Sequence, residues 1–455
     1  MKYVLFCCGI MISLLACTTK KSDKASLSDP LVYCQTVKKL NDVVLYNNFP
    51  PMIASRNYVY ANIAAYECIA AGDSNYQSLA GQIKHLPVLP KPSPDKKINY
   101  QLAALLSFIK VGNAVTFPEG VLMEYYQEVI EKARDAGLAA EVLANTTSFS
   151  DAIVNAIIQW SKKDNYAQTR SAERFSITAE EGRWVPTPPA YAQGLEPRWC
   201  DIRPMILDSS NQFSVPGPPT FNMKDTTSTY YQQVVEVKRA VENLTDEQKH
   251  IADFFDDNPF KLEVKGHVMY GVKKFSPAGH WMNIVGIAAE KAKADFNATV
   301  AAYTASSIAL FDGFIACWKS KYATAGVRPE TVINKYLDPH WTPYIQTPPF
   351  PTYVSGHSVI STASAEVMTH FFGDNFAYTD TSLNEFGIKQ RSFNSFREAA
   401  LEASWSRLYG GIHYRADLED GNTMGKNIGA YIAQRLVLRK NQQHLAAIAT
   451  DQLLR

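Results

Sequence analysis

The 455-residue sequence predicts a mainly α protein built of packed helical bundles. Apolar residues recur at helical spacing through most of the chain, and sustained strand-type alternation is scarce. Prolines cluster in two stretches that cannot be helix interiors. With 46% apolar residues, 24 Tyr and 22 Phe, the chain can fill a large core and is too apolar to stay disordered. The formal charge of +1 sets up no global field toward nucleic acid or anionic lipid, so function must sit in a local site.

The first segment, residues 1–17, reads as a targeting signal. Lys2 is followed by an apolar run from Tyr3 to Ala16, too short for a comfortable membrane span. It ends in Leu14-Leu15-Ala16-Cys17, which resembles a bacterial lipoprotein processing site with Cys17 as the lipidated first residue. A plain secretory signal is the alternative. The expectation is an exported lipoprotein that touches the membrane only through Cys17, with residues 18–30 as a flexible tether. No later segment reads as a second span. Cys34, Cys68, Cys200 and Cys317 would remain, and an oxidising compartment would allow three pairings among them.

Residues 31–183 form an N-terminal helical half. Its helix at 51–72 carries Ile53, Val59, Ile63, Ala64 and Cys68 at helical spacing and stops at Gly72. Residues 83–95 are a proline loop, and 118–162 read as two helices split at Gly137. Residues 184–224, rich in Pro, Trp and Tyr, read as a segment that packs across the bundle. Residues 225–455 form a C-terminal helical half, with helices expected at 225–243, 245–257, 284–323, 357–372, 383–409 and 421–437.

Three clusters in the last third could carry chemistry. Lys321 and Arg328 lie seven residues apart, about two helical turns, and would share a face; Pro329 suggests a helix end or turn. Two surface cations would give the same pattern. Ser355-Gly356-His357-Ser358 precedes an apolar helical run. A helix start presents free N–H groups and a positive dipole end to an anion, and His357 exchanges protons near neutral pH. A capped helix with an incidental histidine is the plainer alternative. In Ser406-Arg407 to Asp417, His413 and Asp417 are i,i+4, so the carboxylate would fix the imidazole tautomer if the stretch is helical. Gly410-Gly411 would break the helix and let Arg407 and His413 converge; a surface His–Asp pair is the alternative. Taken together, three cations, a Ser-Gly helix start and two histidines suit a tetrahedral, multiply charged oxyanion.

Lys321…Arg328-Pro329, Ser355-Gly356-His357 and Ser406-Arg407…His413…Asp417 resemble the three-part motif of the type 2 phosphatidic acid phosphatase and vanadium-dependent haloperoxidase superfamily. Val354 stands where the family usually has proline. Phe350, Trp318 and the stretches 184–205 and 278–284 resemble the haloperoxidase branch, and the likeness covers roughly residues 55–435.

The resemblance implies a helical-bundle fold with its active site in the C-terminal half. Vanadate would be the cofactor and hydrogen peroxide and halide the substrates. Lys321, Arg328, Ser355, Gly356 and Arg407 would hold the vanadate oxygens, and His413 would be the vanadium ligand. His357 would act as acid–base and Asp417 would orient His413. Trp318 and Phe350 would wall a halide niche. A soluble acid phosphatase would use the same pocket on a phosphate monoester, with His413 as nucleophile and phosphate in place of vanadate. A non-catalytic anion-binding lipoprotein is the third reading. Arg407 should also find a carboxylate, with Asp256 and Asp257 as candidates.

Overall fold

Helices begin where the sequence supplies a proline or a capping side chain. Pro30, Pro51, Pro277 and Pro329 each open one, and Asp29, Asn99, Ser228, Thr245, Ser276, Asp295, Ser355 and Ser395 accept backbone N–H groups as caps. The computed structural model describes residues 27–440, apart from 117–119, 179, 260, 266 and 273. The expected signal segment, Cys17 and most of the tether lie outside the described residues.

In chain order the helices are α1 (Pro30–Tyr46), α2 (Pro51–Gly72), α3 (Tyr100–Val115), α4 (Val121–Asp135), α5 (Ala140–Ser161) and the short α6 (Tyr166–Arg170). After the proline-rich segment come α7 (Thr229–Glu242), α8 (Asp246–Phe254), α9 (Pro277–Lys291), α10 (Phe296–Thr324) and α11 (Pro329–Tyr336). The last are α12 (Gly356–Phe372), α13 (Phe396–Tyr409) and α14 (Arg415–Arg435). Two small antiparallel pairs complete the fold: β1 (Lys261–Lys265) with β2 (Val268–Val272), and β3 (Tyr378–Asp380) with β4 (Arg391–Phe393).

The mainly α expectation holds, and Gly137, at φ +82°, separates α4 from α5 as expected. Three boundaries differ. The expected helix 284–323 is two helices, because Lys293 turns left-handed and Asp295 caps a new start at the Ala298 N–H. The expected helix 383–409 begins only at Phe396, after β4, where Ser395 caps. The last helix starts at Arg415, six residues early, because Tyr414 and Asp417 form its cap. Cys34, Cys68, Cys200 and Cys317 are all free thiols.

The main core runs through both halves, joining α1, α2, α3 and α5 to α9, α10 and α12. The central α10 is apolar and long enough to cross a membrane, which the sequence reading did not register; its most apolar stretch is wholly buried inside the protein. The Asp312 carboxylate on α10 accepts N–H groups of Met205, Ile206 and Leu207 at 2.6, 2.8 and 3.0 Å, which pins the proline-rich segment to the bundle. Burial pushes the Asp312 carboxyl up to about 6.

α12 and α14 meet along Gly421, Gly425 and Gly429, one residue per turn. A Cβ at Gly425 would lie 2.3 Å from the Val359 carbonyl oxygen, and one at Gly429 2.6 Å from that of Ala363. Backbone cannot yield as a side chain can, so the pair must separate if either glycine gains a methyl. The seam ties together the N-termini of two helices, and both ends carry candidate site residues. Gly425→Ala should therefore destabilise the protein by about 1–3 kcal/mol in urea unfolding and also weaken anion binding. An unchanged unfolding midpoint would show that the contact is not tight.

Candidate active site

Two turns, not two helix faces, make the cluster. α10 ends at Thr324, Ala325 is left-handed, and Arg328 caps α11. Lys321 thus sits in the last turn of α10 and Arg328 just before α11, and they meet because the chain turns between them, which corrects the shared-face expectation. Likewise His413 lies in the turn between α13 and α14, and Asp417 in the first turn of α14. They meet through cap geometry and not as i,i+4 neighbours on one helix. Gly411, at φ +78°, makes the turn possible, and a Cβ there would strike Val241 at 2.7 Å.

The His413 ring is held at both nitrogens. Nδ1 lies 2.8 Å from Asp417 Oδ2, and Arg328 Nη1 lies 3.1 Å from Nε2. With Nδ1–H donating to the carboxylate, Nε2 carries the lone pair. Thr352 Oγ1 and the Tyr414 N–H also donate to Asp417 Oδ2. Thr352 escaped the sequence reading, since a lone threonine in a proline loop carries no signal. Burial pushes the Asp417 carboxyl up. Burial, then the Arg328 and Lys321 charges, hold His413 well below the ordinary histidine range.

The cations are buried without a carboxylate bonded to any of them among the described residues. Lys321 Nζ donates to the carbonyls of Pro351, Thr352 and Val354 at 3.0, 2.9 and 2.6 Å, so its three protons are spent on the loop. Arg328 donates through Nε to the Phe350 carbonyl and through Nη1 to that of Ile412, both at 2.8 Å. Its Nη2 is buried with no partner. Arg407 donates through Nη1 to the Phe255 carbonyl, and its Nε is likewise unpartnered. Burial pushes Arg328 down to about 9 and Arg407 down to about 10, so both stay charged at neutral pH.

The expected ion pair between Arg407 and Asp256 or Asp257 does not form. Asp256 Oδ2 lies 3.3 Å from Lys274 and 3.4 Å from Lys261, and Asp257 is taken by His280 at 3.0 Å. Both aspartates still act on Arg407 through space. The reason is competition: each carboxylate has a nearer cation.

Ser355 caps α12, as expected, by accepting the Ser358 N–H, and Gly356 is its first residue. His357 Nε2 lies 3.7 Å from Asp257 Oδ2. Burial, then Arg407, push His357 down to about 4. A cavity brings together Trp318, Phe350, Gly356, His357, Arg407 and His413, and its rim adds Pro51 from the N-terminal half. The Phe350 ring packs on Trp318 at 5.1 Å, with Lys321 Nζ 5.0 Å and Arg328 Cζ 5.1 Å from its centre. These rings therefore line the pocket and partly offset its cations.

Unpaired donors on Arg328 and Arg407, a helix start and a histidine lone pair fit a tetrahedral oxyanion such as vanadate or phosphate. Binding should relieve the mutual repulsion. At a hundredfold excess over Kd, either anion should stabilise the protein by about 2.7 kcal/mol, read as a raised Tm. The ligand-free protein has an acid-side weakness as well. His357 titrates lower folded than unfolded, so the unfolded chain binds protons first. The His357 contribution to stability should fall as pH drops from about 6.5, the unfolded value, toward about 4. Calorimetry across that range with and without phosphate checks both; a Tm indifferent to anion would contradict the cradle.

The description "VCPO second helical-bundle domain" matches residues 334–441. A bacterial vanadium-dependent iodoperoxidase of solved structure is 39% identical, covers 91% of this chain and 99% of its own, and superposes with a TM-score of 0.86. A holo-type bacterial vanadium-dependent chloroperoxidase, 17% identical over 85% of this chain and 92% of its own, gives a TM-score of 0.62 and shares the fold. No curated protein matches significantly. By its likeness to the iodoperoxidase over 91% of its length, the chain belongs to the vanadium-dependent haloperoxidase superfamily.

Proposed function

We propose that the protein oxidises halide with hydrogen peroxide, using vanadate held in this pocket, and that iodide is the first halide to test. The observation that carries this reading is the 39% identity to an iodoperoxidase over 91% of the chain. When bound, vanadate supplies a Lewis-acid centre that activates peroxide without itself changing oxidation state.

The chain's own residues divide the rest. His413 offers Nε2 as the ligand, and the Asp417 carboxylate keeps the proton on Nδ1. Arg328, Arg407, Ser355 and Gly356 would hold the oxygens through guanidinium, hydroxyl and helix-start N–H donors. Lys321 shapes the 351–354 loop through three carbonyls, and burial pushes its amine well down from the usual lysine range. His357, neutral at pH 7 in the ligand-free pocket, is ready to take a proton from hydrogen peroxide. Trp318 and Phe350 exclude water from the reacting side. A phosphomonoesterase would use the same oxygens' cradle but needs His357 protonated to release the alcohol.

The test loads residues 31–455 with vanadate and measures iodide and bromide oxidation beside hydrolysis of p-nitrophenyl phosphate. Halide oxidation should dominate, and His413→Ala should abolish it together with vanadate binding. Full activity in that variant would end both enzymatic readings. Phe350→Ala or Trp318→Ala should lower halide kcat/KM by about tenfold, the scale of a support residue, with a smaller change in vanadate Kd. Equal loss of both would favour the phosphatase.

We also propose export and lipid attachment at Cys17, on the strength of the Leu14–Cys17 sequence after the apolar run. Radiolabelled palmitate should enter the full-length protein and not a Cys17→Ser variant.

A further inference from the structure

Outside the oxyanion cradle lies a second buried ionic cluster. His280 of α9 has Nδ1 at 3.0 Å from both oxygens of Asp257 and Nε2 at 2.9 Å from Asp380 Oδ2 on β3. The three side chains are 1%, 3% and 0% exposed. Phe255 stacks on the imidazole at 5.6 Å and Phe254 meets it edge-on at 5.4 Å, so water is kept away.

Both ring nitrogens face carboxylates. A neutral ring would set a lone pair against one of them, which burial makes costly. Two protons on the ring satisfy both contacts. The cluster then holds one positive and two negative charges, and Asp257 is its only member that also faces His357, at 3.7 Å. We propose that His280 is a positioning residue for His357, held as an imidazolium between Asp257 and Asp380 and acting through the Asp257 carboxylate.

The consequence for His357 is twofold. Asp257 is fixed in place, so it favours an N–H at His357 Nε2 and leaves the lone pair on Nδ1. Its charge is also largely cancelled by His280, so it does not draw a second proton onto His357. Acting on His357 through space are Arg407 on α13 and His280 itself, while His413, in the turn before α14, is held well below the ordinary histidine range and stays neutral. Both cations oppose its protonation. The charge state follows the geometry: burial opposes it, yet Asp257 and then Asp380 raise His280 to about 10.

The inference rests on the peroxidase reading for what His357 does, so its test is chosen to stand without turnover. Full-chain, ligand-free protein labelled with 15N-histidine is titrated by NMR. One histidine should keep both ring N–H protons from about pH 6 to 9, outside the ordinary histidine range, and that signal should vanish in His280→Gln. In His280→Gln the uncancelled Asp257 should raise the His357 pKa by at least about one unit. In the vanadate-loaded enzyme, the acidic limb of the pH profile should move up with it. Turnover should fall about tenfold, with less change in vanadate affinity.

Asp380→Asn is the milder variant if His280→Gln does not fold. It leaves one carboxylate on the ring, so the doubly protonated signal should be lost at lower pH than in wild type. A His280 that titrates near neutrality with one N–H would overturn the proposal. So would a His357 pKa unmoved by His280→Gln or, if that variant does not fold, a doubly protonated signal that Asp380→Asn leaves unchanged. Both NMR results can stand while halide oxidation is absent; the peroxidase reading alone then fails.

Discussion

Two guanidinium cations and the Lys321 amine, which burial pushes well down from the usual lysine range, converge inside this protein with no carboxylate in contact among the described residues, and the surroundings are shaped by that constraint. Burying unpaired charge is costly. The cost is offset by carbonyl dipoles in direct contact, and by carboxylates only through space. Lys321 takes three carbonyls, Arg328 two and Arg407 one. The Phe350 ring adds the negative face of its π cloud to Lys321 and Arg328. Dipoles hold the side chains in position but leave the net charge in place. An arriving oxyanion therefore meets cations already aimed and not already neutralised, which is electrostatic preorganisation.

Carboxylates are nonetheless close, and each has at least one oxygen engaged by another group, though Asp256 Oδ1 and Asp417 Oδ1 are buried without a hydrogen-bond partner. Asp256 is shared by Lys261 and Lys274, Asp257 is held by His280, and Asp417 is surrounded by Thr352, His413 and the Tyr414 N–H. The scaffold keeps these arrangements apart. The glycine seam sets α12 against α14, so the Ser355 cap and Asp417 are neighbours; the Ser355 N–H donates to the Asp417 carbonyl at 2.9 Å. Asp312 pins the proline-rich segment, whose Leu195 carbonyl accepts from Trp318 Nε1 and Tyr322 Oη.

The site was legible in the sequence to the extent that its members come in short windows. Lys321 to Arg328, Ser355 to Ser358 and Arg407 to Asp417 each announce themselves by residue type and spacing. How each window turns was not legible. Ala325 going left-handed and Tyr414 serving as a cap are settled by tertiary packing, so two helix-face arguments reached the right neighbours for the wrong geometric reason. The helices were read well where the sequence marks an end, as at the Pro51 start and Gly72 stop of Pro51–Gly72. They were misread where helical composition runs through a break, as at Lys293. Arg407 was expected to take an aspartate because sequence shows only that both are present. It does not show that Lys274 and His280 stand nearer. His280 itself was hidden because its partners are 23 and 100 residues away.

The oxygen cradle cannot by itself choose between vanadate and phosphate chemistry, because the two anions share shape and charge. The choice has to come from the wall. The Trp318 indole N–H is already spent on Leu195, so the ring offers the pocket only carbon surface. The Phe350 ring is committed to two cations and Trp318. A polar alcohol leaving this side would find no hydrogen-bond partner on either ring. A large halide ion, weakly hydrated and polarisable, gives up less on entering such a surface and gains from the positive field behind it. The proline-rich segment thereby shapes the pocket from a distance: by accepting the indole N–H, its Leu195 carbonyl leaves Trp318 presenting only carbon to the cavity.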